Sequence, residues 1–307
     1  MADGRFAPSP TGPLHVGNLR TALLAWLFAR VDGGRFLVRV EDLDPVASRE
    51  AHVESHLADL VALGLDHDGD IIRQSDPAVR ERHEAAVQRL DDDGLLYPCF
   101  CSRREVAEAV AAAHGPLPEG AYPGTCRDLT DDERAGRAER RTDRGPALRV
   151  RADLAEITIV DRLHGSHTGL VDDFVVRRGD GVPAYNVAVV VDDAAQGIAE
   201  VVRGDDLLEG TPRQVWLHGV LGLPTPAYAH VPLVLGPDGE RLAKRHGSVT
   251  RAELEAEGWS AARLLGVLGA SIGLAGDRDE VTAATLLERF DPDAVPTQPW
   301  VFDPTSG

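Results

Sequence analysis

R-F-A-P-S-P-T-G-P-L-H-V-G-N-L-R, residues 5–20, is the stretch whose reading decides the fold. A short apolar lead-in at residues 4–6 reads as a strand end. A Pro/Gly/Ser loop follows, then an unbroken apolar run at residues 22–29. A run of that kind predicts a helix buried on all sides, so the stretch reads as strand, loop and helix N-terminus inside an α/β protein. Such a turn points unpaired backbone N–H groups and the positive end of a helix dipole at whatever lies in front. Gly12 and Gly17 allow close backbone approach and His15 adds a donor. A nucleotide phosphate is the natural occupant.

The chain has 307 residues, 43% hydrophobic and 27% charged, ordinary for a soluble globular protein with a real core. No window approaches the roughly 18–20 apolar residues of a membrane span, and M-A-D-G-R carries no signal-peptide pattern. A cytoplasmic protein with no membrane partner is expected. A net charge of −18 does not suit a nucleic-acid binder overall, yet RNA contact depends on local patches. Among 32 basic residues Lys244 is the only lysine, which singles it out.

Residues 35–40 alternate like a strand and deliver Glu41 at its carboxyl end, where ligands of open parallel sheets bind. Residues 47–63 read as a helix stopped by Gly64, residues 71–73 as a strand and residues 77–93 as a helix. This alternation indicates a doubly wound parallel sheet. The pattern breaks at Cys99. Ser102 and Glu105 form a capping box for a helix reaching about His114, and a Pro/Gly-rich run leads to Cys126. Residues 148–151, 157–161 and 170–176 read as strands of an insertion. The sheet then resumes: Tyr185-Asn186 leads into apolar residues 187–191, and residues 199–202 form a strand ending at Arg203. Thr211 reads as the N-cap of a helix over residues 211–221, and residues 230–235 as a strand. Short helices at 261–268 and 282–289 precede a Pro-rich tail expected to fray.

Three cysteines argue against a disulfide framework. Cys99-x-Cys101 with Cys126 supplies three soft ligands, one short of a zinc tetrahedron. Tyr122 and His114 are candidates for the fourth, and general chemistry favours the histidine. A structural zinc contributes on the order of 10 kcal/mol to a thin, loop-rich insert. The same insert is arginine-rich but nearly balanced by acids, so a basic face for RNA and a solvated mixed-charge surface are both open.

Several of these stretches carry one resemblance. Pro8–Asn18 resembles the P-S-P-T-G-x-L-H-x-G-x signature of class I aminoacyl-tRNA synthetases of the glutamyl type, with Asn18 where the H-I-G-H box ends in histidine. An amide there still donates a hydrogen bond. R-G-D-D-L-L at residues 203–208 is similar to the family's R-G-x-D-H-L, with leucine replacing histidine. R-L-A-K-R at residues 241–245 resembles the K-M-S-K-S loop, and Lys244 falls on its second lysine. The C-x-C…Y-x-x-x-C spacing looks like the zinc site of glutamyl-queuosine tRNA(Asp) synthetases, which implies Tyr122 as the fourth ligand.

The resemblance implies a class I Rossmann-like α/β fold. Two halves of a catalytic core (1–98 and 177–249) flank a zinc-bearing α+β insertion (99–176), and a short helical segment (250–307) follows. Fewer than 60 residues follow Thr250, so no helical anticodon-binding domain is expected, and a monomer is. Free glutamate has two carboxylates and one ammonium, so its pocket wants two cationic forks and one anion. Arg5, Arg203 and Glu41 fit, with Ala7, Ser9 and Tyr185 beside them. Pro8, Gly12, His15, Gly17, Asn18, Arg241 and Lys244 are the ATP set, with His15 and Lys244 catalytic and Mg²⁺ accompanying the nucleotide. The implied reaction is glutamate activation followed by transfer to queuosine in the anticodon loop of tRNA(Asp). A minimal glutamyl-tRNA synthetase charging a tRNA 3′ end and an inactive RNA-binding paralogue are the alternatives.

Overall fold

A computed structural model describes residues 2–112, 121–141, 144–242, 246 and 249–304. Strand β1 (Gly4–Phe6), helix α1 (Val16–Val31), β2 (Phe36–Val40), α2 (Glu50–Ala62), β3 (Ile72–Arg73) and α3 (Pro77–Asp92) alternate as expected. The strands pair in parallel in the order β1-β2-β3. Helix α1 is the hub, with every residue from Ala22 to Ala29 buried. Helix α2 starts later than the sequence suggests because Asp44 Oδ1 accepts the N–H groups of Val46 and Ala47 and holds them in a turn. It stops at Gly64, whose φ of 67° suits glycine.

The chain continues with β4 (Leu96–Cys99), α4 (Arg103–Ala112), α5 (Asp131–Glu139), β5 (Ala147–Val150), β6 (Ala155–Asp161), β7 (Gly165–Val171) and β8 (Val175–Arg177). The strand expected at residues 170–176 is two strands. Between them Asp172 accepts from Tyr122 N and Asp173 from Ala152 N, which breaks the ladder. Strands β4, β5 and β8 form an antiparallel sheet, whereas β6 joins the main sheet.

In the second half, α6 (Tyr185–Gln196), β9 (Glu200–Gly204), α7 (Thr211–Leu221), β10 (Ala227–Val231) and β11 (Val234–Leu235) follow. The valines of residues 187–191 belong to a helix despite their β propensity, because α6 is packed between α3 and α7. Gly210, not Thr211, sits at the cap position of α7. The strand expected at 230–235 breaks at Pro232. Strand β10 pairs in parallel with β9 and β6, and β9 lies beside β1, where Asp3 O accepts from the N–H groups of Ala199 and Glu200. The order β3-β2-β1-β9-β10-β6 reverses direction between β1 and β9. That reversal opens a crevice at the carboxyl ends of these strands.

Helices α8 (Arg251–Ala256), α9 (Ala261–Ala270) and α10 (Ala283–Arg289) close the chain with β12 (Trp300–Val301). As far as residue 304 the tail is packed and does not fray. Strand β12 pairs with β11, Phe302 is 2% exposed, and Phe290 packs edge-on against Phe28 of α1. Among the described residues no helix is long and apolar enough to cross a membrane.

Candidate active site

The loop between β1 and α1 is pinned by three bonds through its carbonyl oxygens. Pro8 O accepts from Glu41 N, Pro10 O from Arg49 N, and Gly12 O bonds His56 Nε2 at 2.8 Å. His15 then caps α1. Its Nδ1 accepts the Asn18 N–H at 3.2 Å while Asn18 Oδ1 accepts the His15 N–H at 3.1 Å. The Asn18 side chain thus spends its Oδ1 on the cap, and its Nδ2 amide protons are separate donors. A lone pair on Nδ1 puts the imidazole proton on Nε2. Burial, aided by the charge of Arg241, lowers the pKa of His15 and keeps it a neutral donor. Gly17 is required here, since a Cβ would stand 2.8 Å from His15 Cε1 and 2.9 Å from Nδ1. Gly12 has open space where its Cβ would be.

At the other end of the crevice, Arg5 of β1 and Glu41 just beyond β2 stand over a buried ionic layer. Arg5 Nε meets Asp193 Oδ1 at 3.1 Å, and Arg39 Nη2 reaches Glu41 Oε1 at 3.2 Å. Burial raises the pKa of Glu41 despite Arg39 and Arg5. Arg203 of β9 gives Nε to His230 Nε2 at 3.0 Å, Nη1 to Gln214 Oε1 at 2.7 Å and Nη2 to Thr211 Oγ1 at 2.8 Å. Each guanidinium keeps N–H bonds beyond those its neighbours use.

One cavity of about 480 Å³ joins the two ends. It is lined by Arg5, Ala7, Ser9, Glu41, Tyr185 and Arg203 of the glutamate set, and by Pro8, Gly12, His15, Gly17, Asn18 and Arg241 of the nucleotide set. Lys244 lies outside the described residues. Leu242 N bonds Val234 O, and Val249 O accepts from Val16 N at 2.7 Å, next to His15. A second cavity of about 680 Å³ adjoins the first through Ser9, Thr11, Glu41 and Tyr185 and carries Arg141, Arg144, Arg149 and Arg178.

The three thiols of Cys99, Cys101 and Cys126 lie within 4.8 Å of one another. Tyr122 OH is 3.4 Å from Cys99 Sγ and 3.7 Å from Cys101 Sγ. A tetrahedral zinc with Zn–S of about 2.3 Å wants sulfurs about 3.8 Å apart, so the donor set fits. His114 lies outside the described residues.

Sequence reasoning did not find Arg39, Asp193, Thr211, Gln214, His230 or Asp161. One signal was available: Arg39 is the lone charge in the apolar strand F-L-V-R-V, and a charge there needs buried partners.

A family model described as tRNA synthetases class I (E and Q), catalytic domain, matches residues 2–306. The chain belongs to this family. Among its relatives is Glutamyl-Q tRNA(Asp) synthetase of Nocardia farcinica, 58% identical over 97% of this chain and 92% of the relative. Glutamate--tRNA ligase 1 of Alkalilimnicola ehrlichii is 39% identical over 98% of this chain, which spans 63% of that protein. Among solved structures, a glutamate tRNA ligase from Elizabethkingia meningosepticum in complex with its amino acid superposes with a TM-score of 0.83. It is 27% identical over 99% of this chain and 67% of that one. The Rossmann-like catalytic fold of class I synthetases thus accounts for the crevice and for both ends of the cavity.

Proposed function

We propose that this chain is a ligase that activates L-glutamate with ATP and passes the glutamyl group to queuosine in the anticodon loop of tRNA(Asp). The observation that carries the reading is the single cavity with a two-guanidinium, one-carboxylate end and a capped helix N-terminus at the other end. The 58% identity to a Glutamyl-Q tRNA(Asp) synthetase supports the acceptor. Arg5 and Arg203 take the two substrate carboxylates and Glu41 takes the ammonium. A glutamate α-carboxylate oxygen then bonds to the ATP α-phosphorus, the bond to the bridging oxygen breaks, and pyrophosphate leaves with the electron pair. His15 Nε2–H, the α1 amides and Lys244 stabilise the charge that develops on the phosphates. Mg²⁺ bound with ATP would neutralise phosphate charge. An acceptor hydroxyl then attacks the acyl carbon and AMP departs. The arginines of the adjoining cavity supply a phosphate-binding face for the RNA.

In the same reading, residues 1–98 and 177–249 are the two halves of the core, and residues 250–307 are a helical appendage. Residues 99–176 are an insertion held by zinc on Cys99, Cys101, Cys126 and Tyr122, where the ion's role is structural.

Exchange of labelled pyrophosphate into ATP, dependent on glutamate and run without RNA, tests the first step. Absence of exchange defeats the enzyme reading and favours the inactive RNA-binding paralogue. Labelled glutamate offered to tRNA(Asp) with and without queuosine tests the second. Transfer that persists without queuosine assigns the chain to 3′-end charging instead.

A further inference from the structure

The two arginines of the amino-acid end are held in opposite ways. Arg5 is paired with a carboxylate, Asp193, whereas the three acceptors that fix Arg203 are all neutral groups. One of these is unusual. The parallel register of β9 and β10 sets His230 directly opposite Arg203, so both side chains share one sheet face. His230 is 0% exposed, and its Nδ1 lies 2.6 Å from Asp161 Oδ2. Asp161 is the last residue of β6, and its carboxylate also accepts the N–H groups of Leu163, His164 and His230.

We propose that Asp161 and His230 are positioning residues for Arg203: the carboxylate locks the imidazole as its Nδ1–H tautomer, and the Nε2 lone pair aims the guanidinium without neutralising it. Arg203 then reaches a carboxylate of a dicarboxylic amino acid with its full charge. This rests on the reading of the cavity as a glutamate site.

An arginine that must bind a substrate anion loses affinity if a protein carboxylate already balances it. A neutral imidazole supplies direction without that loss, because an acceptor nitrogen fixes Nε–H as firmly as an oxygen would. Asp161 is the counterpart that makes this tautomer obligatory. Burial works to raise its pKa, but the bonds from His230, His164 and Leu163 outweigh that and hold it low. Burial lowers the pKa of His230, and Arg203 adds to this against the pull of Asp161. The other groups facing the ring are Thr211, whose Oγ1 lies 3.1 Å from Nε2 and also donates to Leu207 O, His164, whose Nε2 bonds His230 O, and Tyr228, whose ring stacks on it at 5.9 Å. Protonation of Nε2 would turn its N–H against the Arg203 N–H, placing two donors and two cations face to face. Glutamate binding should therefore weaken in acid, below the ordinary histidine range of about 6.5.

The test follows KM for glutamate and KM for ATP in pyrophosphate exchange between about pH 5 and 8.5. The wild-type protein, His230→Ala and His230→Gln are compared. The proposal expects His230→Ala to raise KM for glutamate about tenfold or more, the loss of a hydrogen bond to a charged group, with KM for ATP little changed. Glutamine carries an amide oxygen that can take the same Nε–H and does not titrate. It should recover most of that loss and flatten the acid rise in KM for glutamate. Equal rises in both KM values, or an acid limb retained by His230→Gln, overturn it. Long-range ¹H–¹⁵N spectra of ¹⁵N-histidine protein, with His230 assigned from the variant, read the tautomer without any turnover. An Nε2–H or doubly protonated His230 at neutral pH overturns the proposal even if exchange occurs. Absence of exchange by the wild-type protein defeats the glutamate reading, while the spectra still decide the tautomer.

Discussion

Asp193 is shared by two arginines: its Oδ1 accepts from Arg5 Nε at 3.1 Å and from Arg39 Nη1 at 2.7 Å. Arg39 in turn holds Glu41, and Asp192 beside it bonds His83 and Gln74. The Arg5–Glu41 end of the cavity therefore stands on a buried ionic layer that ties the first half of the sheet to α6.

Removing the central anion from that layer should be costly. Asp193→Asn keeps the shape but leaves two buried guanidinium groups short of negative charge, a loss of about 3 kcal/mol or more. Denaturant titration should show the midpoint falling with the slope unchanged. KM for glutamate should rise because Arg5 and Glu41 lose their common support. A variant as stable as the wild type would mean that the layer does not hold the site.

Gly17→Ala separates activity from stability. Alanine is the better helix former by about 1 kcal/mol, so the melting temperature should barely move. The new methyl, however, would stand 2.8 Å from His15 Cε1 and must push the ring off its bond to Asn18. Exchange should drop with KM for ATP raised and KM for glutamate unaffected. Unchanged ATP kinetics would remove His15 from the nucleotide end.

Much of this arrangement was legible in the chain. The strand, loop and buried helix of residues 5–29 were readable because each needs only local pattern: Pro and Gly for the loop, continuous apolar residues for α1. The partners of Arg5 and Arg203 were not. Asp193 lies 188 residues from Arg5 and His230 lies 27 from Arg203, and no period or spacing announces pairings that exist only after the sheet has wound. The tail was misread for a related reason. Its prolines advertise a loose end, while its anchors Phe290 and Phe302 find partners in Phe28 of α1, Trp259 and Trp300 only once the chain has folded.

The cysteine cluster gives a prediction that assays the metal and the fourth ligand together. Cys126→Ser, at a fully buried position, should abolish stoichiometric zinc and lower the melting temperature. Tyr122→Phe removes an oxygen that sits against two of the three sulfurs and should weaken zinc in chelator competition without abolishing it. Zinc content by elemental analysis decides the first. An unaltered competition curve for Tyr122→Phe would take the tyrosine out of the ligand set.

Acid should loosen the loop between β1 and α1 through His56. Its Nε2 bonds Gly12 O, and burial lowers its pKa despite that bond. A histidine with a depressed folded pKa contributes stability above the unfolded value of about 6.5, and this is lost as pH falls through the folded value, because the unfolded chain takes up the proton first. Glu41, raised by burial, works in the opposite direction, so the wild-type profile alone sums opposed contributions. His56→Gln isolates one of them: the amide keeps a donor for Gly12 O and cannot titrate. Thermal unfolding followed from pH 8 to pH 5.5 should show the wild type losing stability relative to His56→Gln once the pH drops below about 6.5. Parallel curves for the two proteins would show that His56 carries no proton-linked share of the loop's stability.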